Sequence, residues 1–114
     1  MSYYFKFKII MLVLISISFG QDSYKFQNTP DLQAAVNLWV SNNSQALANY
    51  GEINNWNVSQ VTDMSNLFNP NNFSDGATNF NDDIGGWNVS NVLTMEHMFF
   101  FADAFDHFIL YQRN

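Results

Sequence analysis

Hydrophobic periodicity first marks a helical region near the start of the chain. Apolar side chains recur at three- and four-residue steps from Pro30 to about Val40, which is typical of an amphipathic helix. Thr29 stands where an N-cap is expected, and the proline after it suits the first helical position. A second, shorter helix is predicted over Gln45 to Tyr50, ending at Gly51. The apolar stripe of the first helix comprises Leu32, Ala35, Val36, Trp39 and Val40.

A different pattern follows and occurs twice, 31 residues apart. Ile53–Met64 aligns with Ile84–Met95, and the positions kept are the bulky apolar ones and a Trp-Asn-Val-Ser turn. Self-similarity at this period is typical of repeat architectures. Valine and threonine favour extended backbone, so short strands are predicted around residues 58–64 and 89–95. A helical turn or short helix is predicted after each strand, the clearer one over Glu96–Phe105.

These elements predict an α/β repeat fold. We expect a leucine-rich-repeat-like solenoid of short parallel strands and short helices, with Val58 stacked near Val89 and Met64 near Met95. Residues 21–52 would form an N-terminal helical cap. Residues 53–114 would hold two repeats, the second incomplete, and the six extra residues within 69–79 would form a loop.

Residues 1–20 have the pattern of a signal peptide. Lys6 and Lys8 precede the apolar stretch Ile9–Phe19, and cleavage is predicted before Gln21. The apolar stretch is short for a membrane span, although an uncleaved signal anchor is the alternative. The sequence therefore predicts a secreted or cell-surface protein with no membrane insertion after cleavage.

Charge narrows the choice of partners. The chain has ten acidic and four basic residues, and without residues 1–20 only Lys25 and Arg113 remain, which gives two minus ten, or −8. Two basic residues cannot neutralise a phosphate backbone, so nucleic acid is not an expected partner.

Cys is absent, which excludes disulfides. A protein or glycan ligand at a surface is predicted, and self-association through the apolar run Phe108–Tyr111 is a further possibility.

The repeat motif also resembles a known family. Trp56–Phe68 and Phe80–Val92 are similar to the repeats of BspA-like leucine-rich repeat surface proteins, and the similarity covers Ile53–Asp106. This resemblance implies a strand-and-helix solenoid on or released from cells, with a role in adhesion and no catalytic residues. The insertion at residues 69–79 and the ending Asp106–Asn114 depart from the family pattern.

Candidate chemistry is sparse, and no cofactor or catalytic residue is predicted. The two histidines, His97 and His107, lie near the C-terminus without a supporting nucleophile motif, so we expect a non-enzymatic chain. Together with Glu96 they could bind zinc, but solvated side chains on a helix face explain them more simply. No metal site is therefore predicted from these residues.

Two further sets of residues have alternative interpretations. Asp63, Asp75 and the pair Asp82–Asp83 could supply oxygen ligands to calcium, but Asp also closes turns through its own hydrogen bonds. The tryptophans could form a carbohydrate-stacking surface, but their repeat positions among apolar residues favour packing in the core. These tryptophans are Trp39, Trp56 and Trp87.

The functional hypothesis is a non-catalytic surface module that binds a protein or glycan, as in adhesion. The alternative is a structural cap or fragment of a longer surface repeat protein whose binding face lies elsewhere. A small secreted hydrolase is the third hypothesis, and it would require polar groups that converge in a pocket.

Overall fold

The computed structural model describes residues 23–73 and 79–107. The predicted signal peptide, Asp75 and the apolar run Phe108–Tyr111 lie outside these residues. Residues 74–78 of the predicted 69–79 loop also lie outside them, and Pro70–Asn72 of the same loop forms a 3₁₀ turn.

The first helix, α1, spans Thr29–Ser41 and confirms the helix predicted from Pro30. Its N-cap is Asn28, whose side-chain oxygen accepts a hydrogen bond from the Asp31 amide at 2.9 Å. The prediction that Thr29 is the N-cap is therefore wrong. Thr29 is the first helical residue, and its hydroxyl donates to the backbone carbonyl of Asp63 at 2.6 Å.

The second helix, α2, spans Asn43–Tyr50 and packs against α1. It ends at Gly51 as predicted, because this residue has a φ of 76° and its amide bonds the Leu47 carbonyl at 2.9 Å. A 3₁₀ turn at Ile53–Asn55 then leads into the repeats. Among the described residues no helix is long and apolar enough to cross a bilayer.

The two repeat segments have the same backbone turns. We call residues 53–68 repeat 1 and residues 84–99 repeat 2. In both, each turn is closed by an amide that bonds the carbonyl three residues earlier, a bond that recurs at a 31-residue offset. The equivalent donor pairs are Trp56 and Trp87, Val61 and Val92, Leu67 and Met98, and, one residue beyond the end of each repeat, Asn69 and Phe100.

Repeat 2 lies alongside repeat 1 in the same chain direction. Isolated parallel bridges join Asp63 to Thr94, and Lys25 to Asn57. Three amides of repeat 1 donate to carbonyls of repeat 2 at 2.9–3.0 Å. These bonds run from Met64 to Thr94, from Asn66 to Glu96, and from Phe68 to Met98.

The predicted fold class is wrong. The described residues contain two α-helices and isolated bridges but no β-strand, so they do not form an α/β leucine-rich-repeat-like solenoid. The strands predicted at 58–64 and 89–95 are absent because the three-residue turns bend the backbone before a strand can extend. The helix predicted over Glu96–Phe105 is absent as well. His97 and Phe101 have φ values of 58° and 61°, which a right-handed helix does not accommodate.

The hydrophobic core contains two groups of aromatic rings. The indole of Trp56 stacks on that of Trp87 with ring centroids 6.3 Å apart, and Trp39 meets Trp56 edge-on at 5.7 Å. The second group is centred on Phe68, whose ring lies parallel to those of Phe80 and Phe99 at 4.4 and 5.3 Å. Phe105, which follows repeat 2, stacks on Phe99 at 4.1 Å, so the rings connect α1, both repeats and the segment after repeat 2.

Gly86 is required where the two repeats approach closely. A Cβ atom at this position would lie 2.7 Å from the backbone carbonyl oxygen of Asn54. We expect Gly86→Ala to lower the free energy of unfolding by about 1–3 kcal/mol, because the neighbour is backbone and cannot rotate away. Chemical denaturation of both proteins would measure the change.

The Asn54 side chain provides the control for Gly86→Ala. Asn54→Gly removes the side chain that accepts from the Gly86 amide but leaves the backbone oxygen in place. It should therefore fail to rescue Gly86→Ala. Full rescue would show that the Asn54 side chain, and not its backbone oxygen, clashes with the alanine Cβ atom.

Candidate interaction surface

An exposed aromatic surface lies at the end of repeat 2. The side chains of Phe100 and Phe101 are 45% and 58% exposed. Their ring centroids are 4.1 Å apart, and the His97 ring meets Phe100 edge-on at 5.1 Å. We call His97, Phe100 and Phe101 the aromatic patch. Leu93, which belongs to the same repeat, is 84% exposed.

The aromatic patch has no counterpart in repeat 1. The positions equivalent to Phe100 and Phe101 are Asn69 and Pro70, and both are buried. Phe101 also has a left-handed backbone, which costs a residue with a Cβ atom about 1–2 kcal/mol. Core packing therefore does not account for the position of the Phe101 ring, which is exposed on a strained backbone.

The chain matches a known protein family over most of its length. Residues 23–111 match a family described as "Mycoplasma protein of unknown function, DUF285". The chain belongs to the DUF285 family. Comparison of this DUF285 chain with curated proteins and with solved structures gave no match.

The tryptophans of the DUF285 chain belong to the core, which confirms that they pack there. Trp39, Trp56 and Trp87 are 6%, 2% and 3% exposed. Each indole N–H donates a hydrogen bond, to the Asp82 carboxylate, the Gly51 carbonyl and the Ile53 carbonyl respectively. Their faces are therefore unavailable as a carbohydrate-stacking surface.

The carboxylates considered for calcium close turns or bind side chains. Asp63 accepts from the Ser65 amide and Asp83 from the Gly85 amide, both at 2.8 Å. Asp82 accepts from the Trp39 indole. Asp75 lies outside the described residues. Within those residues, no three His, Cys, Asp or Glu side chains are grouped so that they could hold a metal ion.

The histidines considered for zinc have separate surroundings. His97 contacts Phe100, while the His107 ring nitrogen Nε2 lies 2.7 Å from the Asn81 carbonyl oxygen. Glu96 is exposed, and its backbone amide bonds the Thr94 hydroxyl. These contacts give each residue a local role.

Asp63 makes the stability of this DUF285 protein sensitive to acid. The Ser65 backbone and side-chain hydrogen bonds lower the pKa of the Asp63 carboxyl below its usual range. Because the folded-state pKa is lowered, this stabilisation is present above the unfolded pKa and is lost as the pH falls through the folded pKa.

Asp63→Asn tests the acid sensitivity. Asparagine keeps the oxygen that closes the turn, as Asn57 and Asn88 do with Ser59 and Ser90. The variant should therefore lose less stability than the natural protein when the pH is lowered from about 5 to 2. Urea denaturation across this range would measure it, and equal losses would contradict the assignment.

Clefts at the surface are shallow and contain few titratable groups. One of about 370 Å³ between Tyr24 and the end of α2 has Glu52 as its carboxylate. Another of about 410 Å³ contains Glu52 and Asp82 beside Trp39. Among the described residues that line these two clefts, no serine hydroxyl is hydrogen-bonded to a carboxylate or a histidine.

Sequence reasoning missed the aromatic patch, although the sequence contains a signal for it. Three consecutive phenylalanines, Phe99 to Phe101, cannot all face one core. The structure packs Phe99 against the core and leaves the other two in solvent. Assigning residues 96–105 to a helix concealed this, because a helix appeared to explain the apolar run.

Proposed function

We propose that this protein is a non-catalytic interaction module, secreted or at the cell surface, that binds a protein or glycan ligand. The aromatic patch is the observation that carries the proposal. Phenylalanine rings that are half exposed and adjacent lose unfavourable contact with water when a partner covers them. Aromatic side chains are also the residues most enriched at binding surfaces.

The sequence supports an extracellular site of action. Residues 1–20 have the pattern of a signal peptide, and the motif from Trp56 to Phe68 is similar to repeats of BspA-like surface proteins. Excess negative charge in the remaining chain disfavours nucleic acid and anionic lipid as ligands. The resemblance concerns the repeat motif and does not extend to a solenoid fold.

The surroundings of the polar side chains support the absence of catalysis. Asp63, Asp82 and Asp83 are engaged in turn or core hydrogen bonds, and His97 belongs to the aromatic patch. A hydrolase would require a nucleophile and a base within hydrogen-bond reach of each other.

Substitution of the aromatic patch tests the proposal. The full chain would be fluorescently labelled and applied to arrays of extracellular matrix proteins and of glycans. Where the natural protein binds, Phe100→Ser with Phe101→Ser should weaken binding about tenfold or more. Because both side chains are exposed, the melting temperature should change little.

Two controls distinguish the ring surface from general effects. Phe100→Tyr with Phe101→Tyr keeps the rings and should retain most of the binding. Tyr24→Ser alters an exposed aromatic whose ring packs on Phe26 and Tyr50 and not on the aromatic patch, and this variant should also bind. Equal binding by the double serine variant would show that the patch is not the contact surface. No binding by the natural protein on either array would favour the alternative of a structural cap or fragment whose binding face lies elsewhere.

A further inference from the structure

Repeat 2 has three backbone amides in the same position as amides that repeat 1 uses to hold its neighbour. In repeat 1 the amides of Met64, Asn66 and Phe68 donate to repeat 2. The equivalent amides, 31 residues later, have no acceptor among the described residues. We call these three the open edge, and they belong to Met95, His97 and Phe99.

Burial at equivalent positions shows that no neighbouring segment within residues 23–73 and 79–107 covers this edge as repeat 2 covers repeat 1. Met64 and Phe68 are both 0% exposed, because repeat 2 lies over them. Their equivalents Met95 and Phe99 are only partly buried although both residue types are the same. Because the residue types are equal, the greater exposure of Met95 and Phe99 results from the missing neighbour and not from a difference in sequence.

We propose that the open edge binds an extended peptide segment of a partner protein, whose carbonyl oxygens accept from these amides. Repeat 2 supplies three carbonyl oxygens to repeat 1 at two-residue steps and in a parallel direction, although turns between Met95 and Phe100 bend its own backbone. Addition of an extended segment to unpaired backbone groups is a common mode of peptide recognition. The inference rests on the proposed function and specifies how the ligand is held.

The chemistry of the edge indicates the kind of peptide. The edge offers amide donors, while the Met95, His97 and Phe99 carbonyls already accept turn hydrogen bonds. Two copies meeting edge to edge would therefore oppose donors to donors. The described residues also contain eight carboxylates and one lysine, Lys25. A basic partner segment with alternating apolar residues fits both properties, and the exposed aromatic patch adjoins the path that it would take.

Amide hydrogen exchange of the full chain, followed by NMR, tests the proposal. The probe is a nine-residue peptide of alternating valine and lysine, added at about millimolar concentration. Exchange at Met95, His97 and Phe99 should slow about tenfold, because these amides gain acceptors. Exchange at Met64, Asn66 and Phe68 should be unchanged. The control peptide replaces lysine by glutamate and should give no protection.

One pair of variants tests the hydrogen bond itself. Met95→Pro removes an amide that has no partner among the described residues, whereas Met95→Leu keeps it and conserves volume. Peptide affinity should fall about tenfold in the proline variant relative to the leucine variant. Faster amide exchange throughout the core of the proline variant would mean that this variant is misfolded. The proposal would then be tested by whether the peptide slows exchange at the open edge of the natural protein.

Several results would overturn the proposal. Protection that spreads over other amides, or equal protection by the glutamate peptide, would mean that binding is non-specific. Slow exchange at the three amides before any peptide is added would mean that another part of the chain already covers the edge. If the peptide does not slow exchange at the open edge while the aromatic patch still binds an arrayed ligand, this inference is wrong and the proposed function stands.

Discussion

Replacing Trp87 with alanine is expected to lower the free energy of unfolding by about 3–5 kcal/mol, which is enough to unfold a marginally stable domain. The side chain is 3% exposed and stacks on Trp56. Its indole N–H donates to the Ile53 carbonyl at 2.7 Å, which links repeat 2 to the first residue of repeat 1. Removal would leave a cavity between the repeats.

Trp87→Phe separates packing from hydrogen bonding. Phenylalanine keeps a ring against Trp56 but cannot donate to Ile53, so a smaller loss of about 1–2 kcal/mol is expected. Circular dichroism during thermal denaturation would compare the two variants. Similar melting temperatures for the alanine variant and the natural protein would show that the stacking of Trp87 on Trp56 is not a main source of stability.

Replacing Phe68 with alanine is expected to have an effect of similar size, about 3–5 kcal/mol, with a different distribution along the chain. Phe68 is fully buried, and its ring packs against Phe80, Phe99 and Phe105. Phe105 follows the aromatic patch, so loss of this support should loosen the segment that presents the patch.

Hydrogen exchange would reveal where the Phe68→Ala variant is destabilised. The amides of Ala102 and Phe105, which close turns in this segment, should lose protection first. Phe68→Leu is the matched control, since it keeps an apolar side chain and should lose less. Uniform loss of protection from α1 to Phe105 would mean that the domain unfolds as one unit, without a separately stabilised end.

Local signals made the helices predictable from the sequence. The apolar stripe on α1, the proline at its start and Gly51 after α2 each act within a few residues. The sequence did not identify the N-cap, because Asn28 and Thr29 are both suitable residues. The choice depends on Thr29 donating to Asp63, 34 residues away.

The repeats were recognised, but their conformation was not. Apolar residues at every third position suit a helix after a strand as well as they suit a chain of tight turns. The left-handed backbone at His97 and Phe101 is compatible with the turns and not with a helix. Histidine and phenylalanine do not indicate a positive φ in the sequence, whereas glycine would. Met98 and Ala102 are buried in the turns, as they would also be on the inner face of a helix, so burial does not distinguish the two arrangements.

The candidate surface was less accessible to sequence reasoning. Asp63 and Asp83 were recognised as turn residues, with calcium left as an alternative. The open edge consists of backbone amides at Met95, His97 and Phe99, whose side chains do not reveal an unpaired N–H. It becomes apparent only when the hydrogen bonds of one repeat are compared with those of the other.

The positions of Trp39, Trp56 and Trp87 determine which part of the protein its intrinsic fluorescence monitors. All three tryptophans of the chain belong to one set of ring contacts, whereas the segment from Phe99 to Phe105 has phenylalanine as its only aromatic residue. Emission excited at tryptophan wavelengths therefore follows the environment where α1 meets the two repeats. A ligand that settles on Phe100 and Phe101 could bind fully while the intrinsic fluorescence of the protein stays constant.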